Sequence, residues 1–175
     1  KFAVFIDAYL PFHPEHQETL NKFIEPEKYF RSLVKFLNTF QKKTKLEVIV
    51  AIYPKAELKK YSKDFKKFRL IENKVSELVK SCEVVLHHGS TAQSYAVIFN
   101  KPAIYLTTDD VEKHKYVRDG ETRIEFMGSR VINIDDNNKT FFKNKKKIFQ
   151  YNKKIYSNYL NNFLKHNLSD ETPWF

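Results

Sequence analysis

HHGSTAQSYAVIFNKPAIYLTT, residues His87 to Thr108, decides how this chain folds. The EVVL run before it, Glu83 to Leu86, is short and apolar and reads as a buried strand. Ser90 or Thr91 then stands as a natural N-cap for a helix through Ala92, Tyr95, Ala96 and Phe99, because a side-chain oxygen there satisfies an amide the first turn leaves unpaired. Asn100-Lys101-Pro102 stops that helix, since the residue before a proline is pushed out of helical geometry. Ala103 to Leu106 supplies the next buried strand. A glycine and two hydroxyls between a strand end and a helix start gather unpaired amides and the positive end of a dipole, a geometry that accepts phosphate. The same residues serve equally well as a plain structural cap, so spacing alone leaves both readings open.

Working outward, the rest of the chain repeats the strand–helix alternation. Phe2–Ile6 (FAVFI) is a continuous apolar run ending at Asp7. Pro26 to Phe40 carries Tyr29, Phe30, Leu33, Val34, Leu37 and Phe40 at helical spacing. Leu46 to Ile52 is a second strand, closed by Tyr53-Pro54-Lys55. Tyr61 to Phe68 reads as a short basic helix, Arg69 to Ile71 as a brief third strand, and Val75 to Cys82 as another short helix. Val131 to Ile134 is a last strand, and Phe141 to Leu164 reads as one long helix. Strands alternating with helices argue an α/β fold: a Rossmann-like parallel sheet of six strands with helices on both faces and right-handed crossovers. Runs such as FAVFI lack in-out alternation, as strands covered on both sides should. The expected strand order is 3-2-1-4-5-6. Polar residues recur at the carboxyl ends of these strands, where open α/β sheets place ligands.

Composition is consistent with one such domain. The chain has 175 residues, 42% of them hydrophobic and 15% aromatic, enough for a sizeable core. No run of about 18 apolar residues exists to span a bilayer. The single Cys82 excludes an intramolecular disulfide and a cysteine zinc site, leaving a packed thiol. The formal charge of +10 comes from dispersed lysines such as Lys42-Lys43, Lys59-Lys60, Lys66-Lys67 and Lys145-Lys146-Lys147. Dispersed lysines usually form a solvated surface, and no zinc knuckle or aromatic RNA-binding signature accompanies them, so nucleic acid is not the expected partner. A basic surface resting on anionic lipid headgroups or an acidic glycan fits better. The chain enters a core strand directly after Lys1, which reads as a domain taken from a longer protein. A single domain over 1–168 and a tail over 169–175 are the expected divisions.

Three segments carry a family resemblance. AVFIDAYLPFHPE, VIVAIYPK and HHGSTAQSYAVIFNKPAIYLTTD resemble, in that order, the carboxyl-terminal half of GT-B glycosyltransferases. The nearest likeness is to bacterial surface-polysaccharide proteins related to capsule and lipopolysaccharide transferases and to UDP-N-acetylglucosamine 2-epimerase. The resemblance implies a domain that binds a nucleotide-sugar donor, with an acceptor-binding amino-terminal domain across a cleft. It further implies a glycan or lipid-linked acceptor, no metal or other cofactor, and a cytoplasmic location, with peripheral association at the inner face of the membrane.

Carried over residue by residue, the likeness gives Ser90 and Thr91 the donor phosphates, with Gly89 allowing close approach and His88 beneath the diphosphate. The loop after the second strand commonly reads His-Pro-Arg or His-Pro-Lys in related transferases, particularly those using CMP-activated sugars; here it reads Tyr53-Pro54-Lys55. Lys55 still offers a point charge to phosphate, whereas Tyr53 cannot supply a cationic imidazole. Asp7 and His13 are the candidate catalytic groups, with His16 of similar standing, and Tyr9 lies in the same cleft-facing loop. Glu72, after the third strand, and Asp109, after the fifth, are placed to contact nucleoside or sugar. Asp7 as a loop cap, His13 and His16 as structural residues, and Asp109 and Asp110 as caps of a helix near Val111 are the structural alternatives. Three functions stay open: a glycosyltransferase donor domain, half of a 2-epimerase-like enzyme, and a non-catalytic nucleotide- or glycan-binding module. The epimerases' pattern of carboxylates and histidines about the cleft is not evident here.

Overall fold

The computed structural model describes residues 1–14, 24–113, 124 and 126–164. Its centre is a six-stranded parallel sheet: β1 (Phe2–Ile6), β2 (Glu47–Ala51), β3 (Arg69–Ile71), β4 (Val84–His87), β5 (Ala103–Thr107) and β6 (Arg130–Asn133). The order is β3-β2-β1-β4-β5-β6, as the sequence predicts. β1 lies in the middle, with Phe5 opposite Val50 on one side and Leu86 on the other. Ala3, Val4, Phe5 and Ile6 are all buried, which is why the strand shows no polar alternation.

Each face has its own helical layer. α1 (Pro26–Thr44) buries Tyr29, Phe30, Leu33, Phe36, Leu37 and Phe40 on the face shared by Phe5, Val50, Leu86 and Ile104. Burying side chains of this size contributes roughly 1.5–3 kcal/mol each. The other face takes Val4, Ile6, Val85 and Ala103 against α2 (Val75–Ser81), α3 (Ser94–Ile98) and α7 (Lys153–Tyr159). The α1 start is capped from within: both Glu25 carboxylate oxygens accept amide hydrogens, from Glu27 and Lys28, at 2.8 and 2.6 Å. Lys45 closes the other end in a left-handed conformation, its amide reaching the Gln41 carbonyl.

Two helical expectations need correction. Tyr61–Phe68 is not a helix: the region holds separate 3-10 turns at Leu58–Lys60 and Phe65–Lys67. Ser62 explains the break, because its Oγ accepts the Phe65 amide and offers the backbone an alternative to a helical ladder. The long terminal helix over Phe141–Leu164 is broken into α5 (Lys139–Lys143), α6 (Lys145–Ile148), α7 and a π-helical turn at Leu160–Leu164. Asn144 and Asn152 interrupt it, each acting as an N-cap for the helix that follows. Strand limits shift by a residue: β2 is shorter than Leu46–Ile52, β4 extends to His87, β5 to Thr107, and β6 begins at Arg130. His16 and the 169–175 tail lie outside the described residues.

Candidate functional site

The carboxyl ends of all six strands share one edge, and the chain leaves β1 and β4 toward opposite faces. The β1 loop leads to α1 and the β4 loop to α3, so the strand order reverses between β1 and β4, the switch point where open α/β sheets bind ligands in a crevice.

The β4 loop is built around Gly89, which adopts φ +92°. A side chain there would be strained, and its Cβ would stand 3.4 Å from the Tyr105 ring. Ser90 is the N-cap, its Oγ accepting the Ala92 amide at 3.3 Å. The helix begins as a 3-10 turn at Thr91–Gln93 before continuing as α3. Gly89 and Thr91 are exposed and Ser90 half-buried, so the turn is open to solvent. The Ser90 and Thr91 amides have no acceptor among the described residues.

Beneath this turn sit two buried histidines. The Nδ1 of His88 is 2.7 Å from the Leu106 carbonyl, which can only accept, so Nδ1 carries the proton. Its Nε2 therefore accepts from the Tyr29 hydroxyl at 2.9 Å. His87 accepts the Gly89 amide on Nδ1 at 3.2 Å and turns Nε2 toward Ser129 Oγ at 3.5 Å. Burial depresses both: His87 to about 3, with His88 adding to the effect, and His88 to about 4. Both rings are neutral at physiological pH. His88 thus supports the turn from below and brings no positive charge to it.

The β1 loop is a packed aromatic cluster. Asp7 is buried, its Oδ1 accepting the Tyr9 amide at 3.0 Å and its Oδ2 the Tyr61 hydroxyl. Desolvation raises the Asp7 pKa, against the Tyr61 hydroxyl and the Tyr9 and Tyr53 amides, which lower it. Tyr9 takes a left-handed turn at φ 54°, and its hydroxyl accepts the Glu57 amide at 3.1 Å. Its ring stacks on Tyr53, centroids 5.9 Å apart and nearly parallel, and the His13 ring meets Tyr53 at 5.0 Å. The structure thus brings Tyr53, which the sequence assigns to the phosphate loop, against Tyr9 and His13 of the β1 loop. Tyr61 and Tyr29, which complete the polar network under the crevice, were missed because both sat in runs read as helix faces.

The remaining candidates are more spread out. Lys55 is exposed in the turn after Tyr53. Glu72 is exposed beyond β3, three strands from β4 and so about 14 Å along the sheet at the usual strand spacing. Asp109 is held by β6: its Oδ1 accepts from Asn133 Nδ2 at 2.8 Å and its amide donates to Asp135 at 2.9 Å. The helix after β5, α4 (Asp109–Glu112), is capped by Thr108, whose Oγ1 accepts the Val111 amide, rather than by Asp109 or Asp110. Asp110 instead takes the Lys28 ammonium at 2.9 Å, tying α4 to the first turn of α1. Among the described residues no three His, Cys, Asp or Glu side chains converge on a common metal position.

No protein-family model matches the sequence, and no curated protein does either. Solved structures do resemble it. The Methanocaldococcus jannaschii UDP-GlcNAc 2-epimerase, determined in complex with UDP-GlcNAc and UDP, superposes with a TM-score of 0.53 at 14% identity. The match covers 87% of this chain and 39% of the epimerase. The glycosyltransferase SnogD from Streptomyces nogalater matches with a TM-score of 0.39 at 10% identity, over 89% of this chain and 39% of its own. What the epimerase and this chain share is the fold. This chain, with its Rossmann-like six-stranded sheet, is GT-B-like, and it spans about two-fifths of the length of those neighbours.

Proposed function

We propose that this chain binds the donor nucleotide sugar of a glycosyltransferase that builds a bacterial surface polysaccharide, capsule or lipopolysaccharide. The observation that carries the reading is the β4 turn. Gly89 at φ +92° presents at the sheet's switch point two amides, those of Ser90 and Thr91, that have no acceptor among the described residues. Amides aimed outward from a helix start stabilise a diphosphate without a metal. That the likeness is to an epimerase structure holding UDP-GlcNAc adds support from fold analogy, which by itself does not fix function.

In this reading Gly89, Ser90 and Thr91 hold the diphosphate and Lys55 adds a point charge from the neighbouring loop. The half-buried Tyr53 ring, braced by Tyr9 from behind, lines the crevice for nucleoside or sugar. Glu72 and Asp109 flank it at either side. His13 is the candidate proton-transfer group of the β1 loop. Asp7 has both oxygens engaged and acts by holding Tyr9 and Tyr61 in place. The glycan or lipid-linked acceptor would be bound by a further domain, as in other two-domain proteins of this fold, and that domain would complete the active site.

The test is a thermal-shift and calorimetric panel of UDP-, CMP-, GDP- and ADP-sugars against the free sugars. Stabilisation by one nucleotide sugar, with loss on Gly89→Val, is the expected result. Binding of a free glycan with no response to any nucleotide would replace this reading with a glycan-binding module.

A further inference from the structure

On the sheet face opposite α3, a groove of about 810 Å³ runs between α1 and the segment that follows β6. Lys35 and Lys43 line it from α1, and Lys139, Lys143 and Lys145 from the other wall. All five are exposed, and none forms an ion pair among the described residues. Asp135 and Asp136 are the acidic groups that line it. One Asp135 oxygen already accepts the Asp109 amide.

The second wall has an unusual composition. From Asn137 to Leu164 the sequence contains no aspartate or glutamate and places Lys139, Lys143, Lys145, Lys146 and Lys147 within nine positions. Aromatic packing fixes the start of this stretch to α1: Phe142 lies 6.0 Å from Phe36 and 6.3 Å from Phe40. Phe149, directly after α6, is 39% exposed. The groove therefore has a cationic rim with aliphatic lysine stems, and the segment that forms its second wall runs on to an exposed aromatic ring.

We infer that this groove and the Lys139–Phe149 segment form a docking surface for an anionic phospholipid bilayer. Four to eight clustered lysines beside apolar side chains match the headgroup layer, where the ammonium groups meet phosphate and the stems and ring meet the acyl boundary. The rim is built from lysine, with no arginine among these lining residues. Lysine acts as a mobile point charge suited to fluid headgroups, whereas nucleic-acid readers draw on arginine's planar fork. The inference does not depend on the nucleotide-sugar reading, because no residue of the β4 turn lines the groove.

The test is co-sedimentation of the protein with vesicles of phosphatidylglycerol and phosphatidylcholine, against vesicles of phosphatidylcholine alone. Binding to the anionic vesicles at low salt, falling steeply in 0.5 M salt, is expected. Each lysine near an anionic surface is worth roughly fivefold in affinity, so Lys139→Glu with Lys143→Glu and Lys145→Glu should weaken binding by more than about tenfold. A matched control, Lys63→Glu with Lys66→Glu and Lys80→Glu, makes the same change in net charge away from the groove and should have a much smaller effect. Circular dichroism establishes that both variants are folded. The groove variant should also keep any nucleotide-sugar response. Absence of binding to anionic vesicles overturns the inference, as does an equal loss in the two variants. Duplex DNA binding as tight as vesicle binding, and lost in the same groove variant, would also overturn it and assign the groove to nucleic acid.

Discussion

Tyr29, in the first turn of α1, donates its hydroxyl hydrogen to Nε2 of His88, just past the end of β4, 2.9 Å away. This one bond ties the helix that follows β1 to the turn that follows β4, across the crevice between them. Tyr29→Phe would leave a buried ring nitrogen without a donor. Its expected cost is about 1–3 kcal/mol, read from urea unfolding with an unchanged m-value. A neutral result would mean that water takes over the role, and Tyr29 would then be packing alone.

The two histidines set the acid limit of stability. Their folded pKa values, about 3 for His87 and about 4 for His88, lie below the ordinary value of 6.5. Between those values the unfolded chain binds protons that the folded chain refuses. Stability should therefore be flat above about pH 6.5 and fall as pH drops toward 4, each histidine contributing up to about 1.4 kcal/mol per pH unit. Asp7, whose pKa is raised, has the opposite sign: folding favours its protonated form, so it offsets part of the loss above pH 3.8. Denaturation at a series of pH values measures the slope. His87→Gln should make it shallower.

Gly89→Ala isolates the backbone requirement of the β4 turn. At φ +92° with the Tyr105 ring 3.4 Å from the added methyl, the change should cost on the order of 1–3 kcal/mol in thermal or urea unfolding. An unchanged midpoint would show that the turn relaxes freely.

Ser90 and Thr91 can now be separated, because only Ser90 caps the helix. Ser90→Ala should lower stability by about 0.5–2 kcal/mol. Thr91→Val keeps the volume and removes a hydroxyl with no partner among the described residues, so stability should barely change. A fall in nucleotide-sugar affinity in Thr91→Val, measured by calorimetry, assigns that hydroxyl to the ligand; unchanged affinity removes it and leaves the amides.

Lys55→Ala should weaken nucleotide-sugar binding by about 1–3 kcal/mol, with the loss shrinking in high salt as screening grows. A salt-independent loss would point to a lost packing contact instead.

Much of this architecture is written in local pattern. FAVFI and EVVL announce buried strands, and the Tyr29-to-Phe40 stripe announces α1, because periodicity reports which faces are covered. The Gly89 turn was visible too, since strand, glycine, hydroxyl and helix follow one another in sequence. What escaped were effects that depend on side chains competing for the backbone or meeting at long range. Asn144 and Asn152 cut an apolar stripe that continues across them. Tyr61, 54 residues away from Asp7, becomes its hydrogen-bond donor only once β1 and the segment after β2 are side by side. The sequence places His88 beneath a diphosphate but does not give its charge; burial against Leu106 and Tyr29 makes it neutral.

Glu25 has a consequence for where an incoming anion goes. The longest helix in the fold points its start toward the same edge as the candidate site, yet that start is already neutralised by the chain's own carboxylate, held by two amides. A rival landing place for phosphate is thereby closed from inside, which under the proposed function leaves the shorter turn at Gly89 to take the negative charge. Glu25→Gln would reopen the decoy, letting inorganic phosphate compete for the protein at a position where no sugar could be transferred.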